Sequence, residues 1–176
     1  MKTDRPSPDR GYPLRIAASA ALCVTLPALS VNARSPIIQF VHARTGKQLE
    51  VRIDRLPSPL VINHFFYSTR DRRFTQLDPR LLVIAAEAAR RFDRQRVRVI
   101  SAFRTKRVNE ALRRAGRNVA LHSRHIHGQA LDFQIPGVTV EQLCRHLRAR
   151  RPGGLGCYFG SHFVHVDVGP KRYWRQ

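Results

Sequence analysis

Two short segments in the second half of the chain place histidine and aspartate at spacings that suit a metal ion. In residues 123–132, SRHIHGQALD, His125 precedes Asp132 with a glycine between them. In residues 162–167, HFVHVD, a histidine and an aspartate alternate at the end. Acidic residues are otherwise scarce after position 95, where the chain has only Glu110, Asp132, Glu141 and Asp167. This association of scarce carboxylates with histidines predicts a site.

Ordinary backbone geometry can bring these side chains to one point. Gly128 lets the chain turn between His125, predicted in a loop, and Asp132, predicted in the following strand. In a strand, alternate residues share a face, so His165 and Asp167 point the same way. Two imidazoles and a carboxylate leave one position of a tetrahedral zinc ion open, which is typical of a catalytic site. Cobalt or manganese could replace zinc with these ligands.

A zinc ion in such a site activates water, because it lowers the pKa of that water to about 7. Asp167 or His162 could take the water proton and deliver it to a leaving amine. His162 would point to the opposite face unless the strand begins after it. Arg104 follows a predicted strand and could hold a developing oxyanion or a substrate carboxylate. Spacings of this kind also arise by chance, so the pattern alone leaves a site without metal as the alternative.

The elements that must position these residues follow from periodicity and from helix start signals. A hairpin is predicted from Ile38 to Ile53, with its turn at Thr45-Gly46-Lys47. Helices are predicted at 60–70, from Asp78-Pro79 to about Phe92, at 105–115 and at 139–150, and strands at 96–100, 130–135, 155–159 and 162–168. This order predicts an α+β single domain, a small antiparallel sheet with helices packed on it and a zinc site in the sheet cleft.

The first 33 residues have the pattern of an export signal. Residues 1–15 carry four basic side chains, residues 16–31 are apolar and uncharged, and Val31-Asn32-Ala33 fits a cleavage site. We therefore expect a signal peptide at 1–33, or alternatively an N-terminal membrane anchor, and a zinc peptidase domain at 34–176. An exported protein acts in the periplasm or cell envelope.

Charge and cysteine content fit that compartment. The formal net charge of +20 predicts attraction to polyanions. Export favours an anionic cell wall or surface over nucleic acid as the partner. Cys144 and Cys157 could form a disulfide in an oxidising compartment, and two separate thiols fit the sequence equally well.

Three ordered motifs resemble those of a known superfamily. Residues 101–105, SAFRT, resemble the S-x-[FY]-R-[ST] motif of the zinc D-Ala-D-Ala peptidases in the lysostaphin-type superfamily. Residues 123–132 resemble the S-x-H-x-x-G-x-A-x-D motif of the same enzymes. Residues 163–167, FVHVD, resemble the closing motif of one branch, the YcbK-like (MepK-like) murein endopeptidases. Flanking segments extend the resemblance over roughly residues 36–174.

The resemblance implies zinc bound by His125, Asp132 and His165, with Arg104 near the substrate. It also implies cleavage of peptide cross-links in peptidoglycan, including those between two diaminopimelate residues. Separately, we expect the protein to be a monomer. Relatives elsewhere in the superfamily supply the catalytic base at a different spacing, so Asp167 and His162 both stay candidates.

Four other functions are compatible with parts of this sequence. The same fold could be a D,D- or L,D-carboxypeptidase, or a peptidoglycan-binding protein that has lost catalysis. A cysteine peptidase using Cys157 and His165 is a further alternative, although no helix N-terminus follows Cys157 to lower its pKa. A basic nucleic-acid-binding module fits the charge but not the export signal.

Overall fold

One mixed β-sheet organises the residues that the structure describes. The structure is a computed structural model, and it describes residues 35–68, 70–117, 119–150 and 153–176. Its seven strands are β1 (Ile38–His42), β2 (Gln48–Val51), β3 (Arg96–Ser101), β4 (Ala130–Gln134), β5 (Gly154–Tyr158), β6 (Phe163–Asp167) and β7 (Arg172–Arg175). They lie in the order β2-β1-β3-β4-β6-β5-β7. Two of the three predicted ligands, Asp132 and His165, lie in the adjacent strands β4 and β6.

Four α-helices connect or flank the strands: α1 (Pro59–Phe65), α2 (Arg80–Arg91), α3 (Lys106–Arg114) and α4 (Val140–Arg150). Asp78 and Pro79 start α2 as predicted, because the Asp78 carboxylate accepts the Arg80 amide at 3.0 Å. Thr105 caps α3 in the same way, accepting the Val108 amide at 3.3 Å. This cap fixes where α3 begins, two residues after Arg104.

Strand alternation gives the sheet two chemically different faces. The buried residues Leu131, Phe133, Val164 and Val166 belong to the same apolar core as the inward residues of α2 and α4. Fully burying each such side chain contributes about 1.5–3 kcal/mol. The residues between them in sequence, including Asp132 and His165, lie on the other face. The core therefore fixes the backbone under the predicted site without occupying the site.

A disulfide joins Cys144 of α4 to Cys157 of β5, with their Cα atoms 6.2 Å apart. Of the two alternatives that the sequence left open, the structure has the cross-linked one. For a sequence separation of 13 residues, restricting the unfolded chain stabilises the fold by about 3 kcal/mol. The link ties α4 to the sheet on the face opposite Asp132 and His165.

The α+β prediction is confirmed, but the sheet is not wholly antiparallel. β1 pairs with β3, and β5 with β7, in parallel. β7 was not predicted from the sequence, because its residues RYWR are mostly exposed and show no apolar alternation. The first helix ends at Phe65, earlier than predicted.

The predictions for residues 1–33 fall outside the described residues. In the part of the chain that the structure covers, no helix has the length and apolar character to cross a membrane.

Candidate metal centre

Three potential ligand atoms meet in a buried triangle. His125 Nε2 lies 3.2 Å from Asp132 Oδ1 and 3.2 Å from His165 Nδ1, and the last two atoms are 2.8 Å apart. All three residues are buried. They form the one His/Cys/Asp/Glu group in the described residues whose geometry suits a metal ion. The structure thus brings together the ligand set implied by the resemblance.

Two local features position these atoms. Asp132 of β4 and His165 of β6 are direct cross-strand partners, so their side chains project side by side from one face. His125 reaches them from a short 3-10 helix, Arg124–His127, which ends at Gly128 with φ of 66°. A Cβ atom at Gly128 would also lie 2.4 Å from the Gln76 carbonyl oxygen. Gly128 is therefore required by both its conformation and its surroundings.

Hydrogen bonds on the far side of each imidazole determine which nitrogen faces the triangle. His125 Nδ1 is 2.5 Å from the carbonyl oxygen of Ala102, which can only accept, so Nδ1 carries the proton. His165 Nε2 is 3.1 Å from Asp167 Oδ2 and donates in the same way. The lone pairs of His125 Nε2 and His165 Nδ1 are then directed at the shared centre. This is the arrangement by which proteins orient metal-binding histidines.

Asp167 has no free oxygen with which to act on substrate. Its Oδ1 accepts the backbone amides of Gly154 at 3.0 Å and Gly169 at 2.9 Å. Its Oδ2 accepts from His165 and, at 2.5 Å, from Arg172. Burial alone would raise the pKa of this fully buried carboxyl, but the hydrogen bonds from His165, Gly169 and Gly154 lower it to about 2. Asp167 is therefore ionised, and its carboxylate holds the His165 ring in place.

Electrostatics in the triangle favour a cation at its centre. Burial alone would raise the pKa of Asp132, yet the two histidines hold it well below its ordinary value. Burial lowers the pKa of His125. Burial also opposes protonation of His165, but hydrogen bonds to Asp132 and Asp167 outweigh it and raise the pKa to about 9. The lone pairs of the three ligand atoms repel each other. Without a metal, a proton on His165 Nδ1 reduces that repulsion.

The residues present fit a metal ion. Two nitrogens and one carboxylate oxygen are the donor types that Zn²⁺ accepts, and three protein ligands are typical of a catalytic ion. The cavity beside the triangle has a volume of about 360 Å³ and is lined by all three ligands. A substrate therefore has access to the same point.

Arg104 lies at the junction of this cavity with a second one and lines both. Its backbone amide donates to the His125 carbonyl at 3.1 Å, which ties it to the ligand loop. Burial lowers its pKa, while Asp132 and Tyr158 act in the opposite direction. Arg104 Nε is buried and has no hydrogen-bond partner among the described residues. A buried, unpaired guanidinium nitrogen beside a cavity indicates that an anionic group is expected there.

Two aromatic residues of the cleft were not singled out as site residues from the sequence. Tyr158 lines both cavities, and the Trp174 indole donates to the Tyr158 oxygen at 3.1 Å. The Trp174 ring centroid is 5.2 Å from that of His165. Since Trp174 occupies that oxygen as an acceptor, the Tyr158 hydroxyl can direct its own proton into the cleft.

Two glycines of β5 make room for the Trp174 ring and the Asp167 carboxylate. Their alternation was the one feature of the sequence that could have indicated a close approach of side chains here. A Cβ atom at Gly156 would lie 2.4 Å from the Trp174 ring, and one at Gly154 would lie 2.2 Å from Asp167 Oδ2. Both glycines are in β5, opposite His165 and Asp167 of β6. A glycine at alternate strand positions indicates close approach on one face. Of these two neighbours, Asp167 was already a candidate residue, whereas Trp174 lies in β7, which was not predicted from the sequence.

The remaining candidate residues lie away from the triangle. His162 is exposed in the turn before β6, with φ of 55°, and is not among the residues lining either cavity. Since β6 begins at Phe163, the strand does not determine where the His162 side chain points. His127 is exposed, and His122 is exposed at a position that lines the cavity beside the triangle. Cys157 is in the disulfide, so it has no free thiol for a cysteine peptidase.

Comparison with known proteins agrees with the family resemblance of the three motifs. The family model described as "Peptidoglycan L,D-endopeptidase MepK" matches residues 31–174. The peptidoglycan L,D-endopeptidase MepK of Escherichia coli strain K12 is 37% identical over 114 residues, which are 64% of this chain and 63% of that protein. The chain thus matches somewhat less than two thirds of that relative's length.

A longer match is found in another organism. The probable peptidoglycan L,D-endopeptidase MepK of Haemophilus influenzae is 34% identical over 146 residues, covering 79% of this chain and 78% of that protein. No solved structure gives a significant match.

Proposed function

The chain belongs to the peptidoglycan L,D-endopeptidase MepK family, and we propose from this premise that it is a zinc-dependent peptidase that cleaves peptide cross-links in peptidoglycan. The observation that carries the proposal is the buried triangle of His125 Nε2, Asp132 Oδ1 and His165 Nδ1. These atoms would hold Zn²⁺. When bound, the ion supplies Lewis acidity, which lowers the pKa of water and polarises an amide carbonyl.

The chain's own residues have distinct tasks around that centre. Arg104 would hold the charge that develops on the amide oxygen, or a neighbouring carboxylate, because its buried Nε lacks another partner. The Tyr158 hydroxyl, which also lines both cavities, would donate a second hydrogen bond to the substrate. Asp167 is a positioning residue: it fixes His165 and touches neither cavity. His162 would have to leave its exposed turn to act as a base.

The shape of the cleft favours an endopeptidase over a carboxypeptidase. The two cavities share several lining residues, among them Arg104, Asp132, Tyr158 and Phe163, so open space extends from the ligand cluster into a second cavity. An internal bond needs room for peptide on both sides, whereas a terminal bond needs it on one. We accordingly propose peptide stems joined in a cross-link as the substrate. L,D-bonds are the cleavage named for the E. coli relative.

Location follows from the substrate. Peptidoglycan lies in the cell envelope, and the sequence pattern of residues 1–33 is that of an export signal or anchor. We propose the periplasm or cell envelope as the site of action, with the protein acting as a monomer.

The test is a digestion of soluble cross-linked muropeptide dimers by the purified full chain with Zn²⁺. Products would be identified by mass, beside a chelator-treated sample and a His125→Ala variant. His127→Ala is the matched control, because that histidine is exposed in the same 3-10 helix. We expect monomers only from the zinc-loaded wild type and the control, and their masses identify the bond. Stoichiometric zinc without any cleavage of dimers or terminal residues would instead favour a wall-binding protein.

A further inference from the structure

A second cavity extends the cleft away from the metal centre. Its volume is about 410 Å³, and it joins the first cavity along a wall that includes Arg104 and Tyr158. The motifs of the sequence analysis account for Arg104 and Asp132 but not for the outer part of this cavity. A cross-linked peptide that reaches the metal centre must have its neighbouring residues somewhere along this path.

The outer part of the cavity is lined by arginines from three separate parts of the chain. Arg44 follows β1, Arg70 follows α1, and Arg117 follows α3. Together with Arg104 they form what we call the arginine groove. Since these residues are distant in sequence, their convergence is a property of the fold.

The positive charge of the groove is not neutralised within the described residues. Arg44, Arg70 and Arg117 form no salt bridge there, although Arg52, Arg80, Arg107 and Arg172 each do. Asp71, next in sequence to Arg70, is hydrogen-bonded to Ser68 and Thr105 and pairs with Arg107.

Within the groove, the one side-chain carboxylate in the lining is Asp132, which belongs to the metal triangle. Four like charges around one cavity repel each other, so an anion that enters gains from all of them.

We propose that the arginine groove binds the free carboxylates of an acidic peptide stem next to the bond that is cut. The proposal rests on the proposed function and adds its specificity: peptides with charged carboxylates are preferred over the same peptides with neutral amides. Arginine suits this role because its planar fork donates two parallel hydrogen bonds to a carboxylate. Apolar residues such as Phe66, Phe103 and Val108 also line the groove and would contact the aliphatic parts of the stem.

The proposal is tested by removing charge from the protein and from the substrate separately. The variant is Arg44→Gln/Arg70→Gln/Arg117→Gln in the full chain. The control is Arg55→Gln/Arg90→Gln/Arg145→Gln, which loses the same three charges at exposed positions that line neither cavity. The substrates are muropeptide dimers with free carboxyls, and the same dimers after chemical conversion of those carboxyls to primary amides.

We expect the groove variant to raise KM for the charged dimer about tenfold, with kcat changed by less than about twofold, since uniform binding is lost. Wild type should show a similar rise in KM for the amidated dimer, and the groove variant should show little further change with it. The control should resemble wild type with both substrates. Equal KM values of wild type for the two dimers, or equal losses in variant and control, would overturn the proposal.

A binding measurement separates this proposal from the proposed function. Isothermal titration of the chelator-treated proteins with charged and amidated muropeptides measures the affinity of the groove for each muropeptide when no cleavage occurs. Stronger binding of charged muropeptide by wild type and control than by the groove variant supports the groove even if the chain is not a peptidase. The proposal is contradicted if all three proteins bind the charged muropeptide equally. It is also contradicted if wild type binds a short oligonucleotide as well as the muropeptide and the groove variant loses both to the same degree.

Discussion

The metal centre and the arginine groove share a wall but are built in opposite ways. At the metal centre every imidazole and carboxylate has a defined partner, and the side chains are buried. In the groove, Arg44, Arg70 and Arg117 are exposed and lack a carboxylate partner among the described residues. The centre is held by packing and hydrogen bonds. The groove relies on long side chains that can adapt to a ligand.

This contrast predicts two kinds of mutational effect. Changes at the centre should reduce metal binding and kcat, because they disturb a geometry that the chemical step requires. Changes in the groove should alter KM and salt dependence, because exposed charges act through screened attraction. A variant of the centre that changed only KM would break the distinction.

The largest effect is expected from removing a ligand. His165→Ala takes away Nδ1 and leaves Asp132 with one imidazole, so the protein should lose bound zinc and at least about 1000-fold in kcat. Metal content by mass spectrometry and dimer cleavage measure the two losses. The exposed His127→Ala control should keep both. Full zinc occupancy in His165→Ala would mean that the triangle is not the metal site.

Lowering the pH should weaken metal binding at the centre by about tenfold per unit below pH 9. The pKa of His165 is raised to about 9 in the metal-free protein, so zinc must displace a proton at neutral pH.

The contribution of His165 to the stability of the metal-free protein changes with pH in the opposite direction. The raised pKa stabilises the fold fully below the ordinary value of 6.5 and ceases to do so as pH rises through about 9.

Isothermal titration in buffers with different ionisation enthalpies checks the proton release. Between pH 6.5 and 8 we expect at least one proton per zinc, because His165 releases one and the water bound to zinc adds a fraction that grows with pH. Proton release near zero throughout that range would contradict the assignment.

Replacing the residue that orients His165 should have an intermediate effect. Asp167→Asn keeps the size but loses the negative charge that Arg172 and His165 contact, so zinc affinity should fall about 10- to 100-fold. Competition with a chelating dye measures the affinity. A positioning role also predicts that excess zinc restores much of kcat. If saturating zinc restores none of it, Asp167 has a direct chemical role.

A smaller effect is expected from crowding the cleft at Gly156. Gly156→Ala would place a methyl group 2.4 Å from the Trp174 ring, forcing that ring away from His165. We expect about 1–3 kcal/mol of lost stability in urea unfolding. Gly160→Ala is the matched control, since nothing lies within 4 Å of its added Cβ. Equal stability of the two variants would show that Trp174 can move without cost.

The smallest effect is expected at His162. Because this side chain is exposed in a turn and lines neither cavity, His162→Ala should change kcat and KM by less than about twofold. Cleavage of the dimer over pH 5–9 is the measurement. A loss of one limb of the pH profile would identify His162 as a proton carrier despite its position.

The sequence was most informative where chemistry and backbone conformation coincide. Gly128 signalled the turn that carries His125, and alternation predicted that His165 and Asp167 share a face. Whether Asp167 acts as a base or only orients His165 could not be decided, because spacing does not show that Gly154 and Gly169 occupy the Asp167 carboxylate. That distinction required the tertiary fold.

The arginine groove and β7 could not be predicted from the sequence, because both depend on contacts between distant parts of the chain. Arg44, Arg70 and Arg117 are separated by long stretches of chain, and in an arginine-rich sequence no local pattern marks them. β7 is stabilised by pairing with β5 instead of by its own periodicity. The disulfide depended on the distance between α4 and β5, which composition cannot give.

The most direct test of the account is a zinc titration of the chelator-stripped full chain. Bound metal, dimer cleavage and fluorescence would be followed together; Trp174, the single tryptophan of the chain, lies beside His165 and reports on the centre. We predict that cleavage and the fluorescence change rise in proportion to bound zinc and level off at one ion per chain. Undiminished cleavage by the stripped protein, or zinc binding at one ion per chain without any gain in cleavage, would contradict the central claim.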